Sequence, residues 1–200
     1  MTSPLVVLGG YLLGSMPFGY WIVRLFRGED VRQTGSGNIG ATNVWRTYGK
    51  SYGIPIVLLD VTKGFAPALV GTLLVGELTG VAAGGAAMLG HWRPLFLRFE
   101  RGGKTVATAG GSFLGVAPVL GVLGLALWIA TFLLTRYASV ASMVSASSLP
   151  LVALALGEPW PVVAFAAFAA LAVLVLHRGN IARLRSGTES RFRLRGARSA

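Results

Sequence analysis

The chain has 200 residues, 54% of them hydrophobic and only 12% charged, with a mean hydropathy of +0.66 and a formal net charge of +11. That leaves too little polar surface to cover a water-soluble globule of this size, so the composition excludes an ordinary soluble domain and points to a polytopic membrane protein. Nucleic-acid binding is excluded as the meaning of the positive charge, because the cations stand between or after apolar segments, where the positive-inside rule accounts for them. Cysteine is absent, and the two histidines, His91 and His177, are too few for a histidine-built metal cluster, so no metal or other cofactor is expected.

In chain order, Pro4 to about Leu25 is the first apolar segment, long enough to cross a hydrocarbon core. No basic region precedes it and no small-residue cleavage site follows, so it reads as a retained helix. Arg24, Arg27 and Arg32 come next, then GSGNIGATNVWR from Gly35 to Arg46 and Lys50, which makes this loop cytoplasmic and puts the N-terminus outside. A second span covers about Gly53 to Val75 and carries Asp60 and Lys63, three residues apart. They either pair with each other or meet substrate. A third span from about Gly80 leads into GHWRPLFLRFERGGKTVAT, Gly90 to Thr108, whose cations Arg93, Arg98, Arg101 and Lys104 place it beside the first loop. His91 reads equally as a helix-end cap or as a ligand.

Val106 to Leu134 is apolar throughout. An outside N-terminus and a cytoplasmic arginine-rich tail require an odd number of crossings, so this run is expected to split at Ala117–Pro118, where proline can start a helix but not easily continue one. After an inside turn at Arg136–Tyr137, serines 139, 142, 145 and 148 recur every third residue. Ser145 and Ser148 suit close helix packing, whereas Ser139 and Ser142 lie level with the polar loops. The last span, about Trp160 to Leu176, delivers HRGNIARLRSGTE, in which His177, Asn180 and Ile181 share a helical face. The expected architecture is a single all-α membrane domain over residues 1–200 with about seven transmembrane helices, some short, a cytoplasmic C-terminus and a solvated basic tail over 186–200.

The three polar stretches share one leaflet. In the first, glycines 35, 37 and 40 allow a nest of backbone N–H groups, Ser36, Asn38, Thr42 and Asn43 add polar side chains, and Arg46 supplies a forked cation. In the second, Gly102, Gly103 and Lys104 open a helix in a phosphate-favouring arrangement without Walker spacing. None of the three carries the carboxylate cluster of a magnesium site, which suits two phosphorylated substrates bound without an obligatory metal.

GSGNIGATNVWR, DVTKGFAPA, GHWRPLFLRFERGGKTVAT and HRGNIARLRSGTE, in this order and spanning nearly the whole chain, resemble the signatures of the bacterial acyl-phosphate:glycerol-3-phosphate acyltransferases, the PlsY type. The resemblance implies a multi-pass enzyme of the bacterial inner membrane with a cytoplasm-facing site. It would move a fatty acyl group from acyl-phosphate to the 1-hydroxyl of glycerol 3-phosphate, with neither coenzyme A nor acyl carrier protein as donor. Carried over by residue, it implies catalytic roles for Ser36, Arg46, Lys104, His177 and Asn180. Gly37, Asn38, Thr42, Gly102, Gly103, Ser142 and Glu189 would bind or brace substrate phosphate; by their own place in the polar loop Gly35, Gly40 and Asn43 join them as candidates, and so does Lys63 if it meets substrate rather than Asp60. His177 is either a general base or an organiser of Asn180 while the donor phosphate takes the proton. The chain departs from the pattern in its third motif, where Glu100 and Arg101 replace an expected single residue and Thr105 stands where a glycine is expected, putting the backbone path around Lys104 in question. The competing class is a phosphate or glycerol 3-phosphate transporter, which would place polar groups near the midplane; a membrane scaffold would leave the polar loops without a purpose.

Overall fold

The computed structural model describes residues 2–192, and the arginines at 193, 195 and 198 lie outside them. Helices α1 (Thr2–Gly14) and α2 (Phe18–Arg27) replace the expected unbroken first span. Pro17 has no N–H to donate, so the ladder opens there: Ser15 Oγ returns to the Tyr11 carbonyl at 2.8 Å, and the Met16 carbonyl faces inward. α3 (Ala41–Tyr48) is a short helix inside the first polar stretch, which the sequence read only as a glycine-rich nest. α4 (Lys50–Leu74) and α5 (Glu77–Trp92) follow, then α6 (Val106–Val116) and α7 (Pro118–Thr135), divided at the expected proline. α8 (Ala138–Ala155) and α9 (Trp160–Leu176) complete the bundle, and α10 (Arg178–Arg185) leaves α9 at a bend of 54°. Among the described residues the structure contains only helices, turns and connecting segments.

By length and apolarity alone, four segments among the described residues can cross a membrane: Ser3–Arg27, Lys50–Leu74, Pro118–Thr135 and Ala138–Ala155, with α9 and α10 together a bent fifth. α5 and α6 are shorter but are packed into the same bundle. Small residues make the packing close. Gly10 and Gly14 of α1 lie directly on the backbone of Ala83 and Ala87 in α5. At α4–α6, a Cβ added to Gly111 would overlap the Val61 carbonyl and come within 3.0 Å of the Phe65 nitrogen. Without a hydrophobic drive between helices inside lipid, such backbone approach supplies the association through dispersion contacts.

Two apolar cores result. One joins Met88, Phe113, Leu120, Leu149, Val162 and Phe165 through the middle of the bundle. The other gathers Val23, Val31, Ile39, Val44, Ile56 and Leu97 where α2, α3 and α4 meet, and it fixes the first polar loop to the end of the bundle. In the described part of the segment after α10, Ser186 to Thr188, Ser190 and Arg191 are exposed, while Glu189 is buried and Phe192 is half-buried. Phe192 donates its N–H to the Arg136 carbonyl at 2.8 Å and lays its ring against Trp45 and Phe132, because an aromatic side chain leaves water for such a slot.

Candidate active site

The first loop is held by its own asparagines. Asn43, buried, accepts from the Ser36 N–H at 2.8 Å and donates to the Thr34 and Asn38 carbonyls at 3.1 and 2.9 Å. Asn38 accepts from the Gly40 N–H at 2.7 Å, which sets the turn into α3, and the Gly37 N–H closes on the Thr34 carbonyl at 3.0 Å. This corrects the nest reading: the N–H groups of Ser36, Gly37 and Gly40 shape the loop itself. Gly35 and Gly37 remain necessary because both have left-handed backbone, at φ of 58° and 69°. The Ser36 and Thr42 hydroxyls face outward and bond to nothing among the described residues. Arg46, one turn further along α3, reaches the Ser190 carbonyl at 3.1 Å and lies over the Phe192 ring.

In the second stretch Gly102 and Gly103 return their N–H groups to the Trp92 and His91 carbonyls, both at 2.9 Å, capping α5. The chain then turns outward and Lys104 donates to Asn180 Oδ1. The two departures from the expected motif find their places here. Glu100 pairs with Arg32 and so ties the first loop to the second. Thr105 holds the left-handed conformation, φ 63°, that a glycine would adopt without strain, and its buried hydroxyl has no partner.

Around Lys104 the third stretch supplies an ordered set of partners. Asn180, buried at the start of α10, donates through Nδ2 to Glu189 Oε1 at 2.6 Å, which turns its Oδ1 toward the Lys104 ammonium. The same Glu189 oxygen accepts from Ser139 at 2.6 Å, and Oε2 accepts from Arg183 Nε at 2.7 Å. Glu189 is therefore a brace rather than a phosphate ligand, since it offers an anion only acceptors. Burial pushes its carboxyl up, but the hydrogen bonds from Ser139, Asn180 and Arg183 outweigh that and hold it below the ordinary value. Burial also lowers Lys104, with Arg183 adding repulsion, to about 8, and lowers Arg46 in the same sense. Lys104, Arg46 and Arg183 thus face a single carboxylate, and their excess positive charge suits an anion.

His177 is buried at the α9–α10 bend. Its Nδ1 lies 2.8 Å from the Val173 carbonyl, which can only accept, so Nδ1 carries the proton and Nε2 is the bare nitrogen. Ser142 turns away from the cluster, donating to the Ala138 carbonyl and accepting from the Trp128 indole, so Ser139 is the serine that joins the site. Lys63, 3% exposed, binds Asp60 Oδ1 and the Met16 carbonyl, each at 2.8 Å, which is the ion-pair alternative. Arg183 was not singled out from the sequence, although its spacing of three from Asn180 places it on the same side of a helix. Among the described residues no three His, Asp or Glu side chains gather into a metal-holding group.

A family model described as glycerol-3-phosphate acyltransferase matches residues 4–187. The glycerol-3-phosphate acyltransferase of Desulforudis audaxviator is 45% identical over 192 residues, covering 96% of each chain. The fold is similar to the crystal structure of PlsY (YgiH), an integral membrane glycerol 3-phosphate acyltransferase, in its glycerol 3-phosphate form, with TM-score 0.93, 40% identity and 96% of both chains covered. Its lysophosphatidic acid form superposes with TM-score 0.89 at 38% identity over the same shares.

Proposed function

The chain belongs to the glycerol-3-phosphate acyltransferase family, and from that premise we propose that it moves a fatty acyl group from acyl-phosphate to the 1-hydroxyl of glycerol 3-phosphate. The products are lysophosphatidic acid and inorganic phosphate, and the reaction opens phospholipid synthesis. The observation that carries the reading is the convergence of three cations, Lys104 on Asn180, Arg183 on Glu189 and Arg46 on the adjacent Ser190 carbonyl, at the end of an apolar bundle where a lipid donor and a water-soluble acceptor can meet.

An acyl-phosphate is a mixed anhydride whose leaving group is already good, so orientation and charge neutralisation supply most of what the step needs. The acceptor hydroxyl oxygen attacks the acyl carbon, the bond from that carbon to the bridging phosphate oxygen breaks, and the phosphate leaves. Lys104 and Arg46 neutralise phosphate charge, while the exposed Ser36 hydroxyl or a reoriented Asn180 amide donates to the oxyanion. The hydroxyl proton passes to the departing phosphate; His177, fixed through Nδ1 to Val173, organises the wall beside Asn180. The acyl chain follows the apolar groove lined by Met88, Trp92, Phe168, Ala172 and Leu176, with Thr105 beside Lys104 at its head.

The site faces the cytoplasm of a bacterial inner membrane. Among the described residues, counting the broken α1–α2 as one crossing, then α4, α5, α6, α7, α8 and α9, gives seven, with every lysine and arginine there except Lys63 on the inner side.

Release of inorganic phosphate by purified protein in lipid, given palmitoyl-phosphate and glycerol 3-phosphate, tests the proposal. Phosphate should appear only with both substrates and be lost in Lys104→Ala and Ser36→Ala. Turnover with palmitoyl-CoA but not palmitoyl-phosphate would overturn the donor, and phosphate uptake into vesicles without acyl transfer would favour the transporter.

A further inference from the structure

Beneath the Gly102–Lys104 turn lies a buried polar chain that the reaction does not use. Lys63 Nζ donates to the Met16 carbonyl at the α1–α2 break and pairs with Asp60, each at 2.8 Å. Asp60 Oδ1 in turn lies 3.6 Å from His91 Nδ1. All three residues are at most 4% exposed. The His91 imidazole is pressed against Gly103 so closely that a Cβ there would overlap its Nε2, Cε1 and Cδ2 atoms. The His91 carbonyl meanwhile accepts the Gly103 N–H at 2.9 Å. One residue therefore grips Gly103 on two sides, by its ring and by its backbone, and the next residue along is Lys104.

A buried ion pair adds little net stability over an apolar replacement, so its burial here calls for a geometric explanation. The Lys63 ammonium fixes Asp60 against the broken end of α1, and Asp60 borders the ring that meets Gly103. We infer that His91, backed by the Asp60–Lys63 pair, is a positioning residue that sets the height of Lys104 at the phosphate site. This rests on the reading that Lys104 meets a substrate phosphate. His91 touches no substrate; it acts by keeping the lysine turn from sinking toward α5, and Gly103 is glycine because the ring occupies the space of a side chain.

The experiment is a size-exchange cycle in the full-length protein, read by equilibrium affinity for glycerol 3-phosphate in calorimetry and by separate KM and kcat values. Gly103→Ala should weaken glycerol 3-phosphate at least about tenfold by driving the turn off the ring, and His91→Ala should weaken it by letting the turn drop. In the double variant the methyl occupies vacated space, so affinity should recover at least about fivefold over Gly103→Ala alone. His91→Phe, which keeps the platform without its nitrogens, should retain most of the affinity while His91→Ala does not, and both should unfold within a few degrees of wild type. Additive losses in the double variant, or equal affinity in His91→Phe and His91→Ala, would overturn the inference. If Gly103→Ala cannot be purified folded, the His91→Phe and His91→Ala comparison decides it alone. Lys104→Ala separates the two layers: unchanged affinity there refutes the phosphate role of Lys104, whereas weakened affinity with an additive cycle refutes only His91. Because binding is measured without donor, failure of the acyl-phosphate assignment leaves this test intact.

Discussion

Replacing Glu189 by glutamine tests whether the brace organises the site. Glu189 accepts three hydrogen bonds, from Ser139 and Asn180 on one oxygen and from Arg183 on the other. A glutamine has one accepting oxygen, so it must either abandon Arg183 or turn its NH2 against Ser139 and Asn180. The first choice loses a charge-assisted bond of about 2 kcal/mol and the second strands a buried donor at a cost of about 1–3 kcal/mol. Either way the loss is about 2 kcal/mol, which corresponds to about thirtyfold. The change propagates because Asn180 shows its Oδ1 to Lys104 only while its Nδ2 is held by Glu189. In Glu189→Gln, kcat/KM for glycerol 3-phosphate should therefore fall about thirtyfold, measured by phosphate release, with thermal unfolding in detergent lowered by roughly 4–8 °C. Activity within about threefold of wild type would refute the bracing role.

Because burial and Arg183 hold Lys104 near 8, the unliganded lysine loses its charge as pH rises through that value, so kcat/KM should decline above about pH 8; a profile flat to pH 10 contradicts its cationic role. The same lowered pKa means the unfolded chain binds more protons between about 8 and 10.5, so the empty site gains stability from this group as pH rises through that window, and inorganic phosphate should flatten the trend in a thermal-shift series. Thr105→Gly relieves a left-handed backbone worth roughly 1–2 kcal/mol, partly offset by glycine entropy, and should raise the unfolding temperature by about 2 °C. Gly111→Ala forces a methyl onto the Val61 carbonyl and should lower it by about 5 °C or more, as overpacking of about 1–3 kcal/mol predicts. With no native cysteine, Glu158→Cys should react with an impermeant maleimide from outside the cell and Lys50→Cys should not; the reverse pattern inverts the orientation.

Charge and hydropathy were enough to read a helical membrane protein and to gather Arg46, Lys104 and Asn180 on one side, because the cost of leaving cations in lipid sorts loops by composition alone. The division at Pro118 was legible because the charge pattern demands an odd number of crossings and proline can open a helix but not easily continue one, and the span Trp160–Leu176 because it is an unbroken apolar run. The break at Pro17 was missed although proline stands there too, since an apolar run reads as continuous when hydropathy is averaged over it.

Tertiary structure decided what the polar residues do. Asparagines 38 and 43 have the composition of phosphate ligands, yet their amides complete a loop, because backbone donors near a turn compete for them before any ligand arrives. Ser139 rather than Ser142 joins the site by a small rotation about α8, and Glu189 becomes a brace because a chain reversal after Arg185 brings it back to Asn180 and Arg183. Sequence determined which groups lie at the membrane surface, through a transfer free energy each residue carries alone. Which of those groups point at one another depends on directional hydrogen bonds between segments up to 144 residues apart, from Arg46 to Ser190, and only the folded bundle sets those directions.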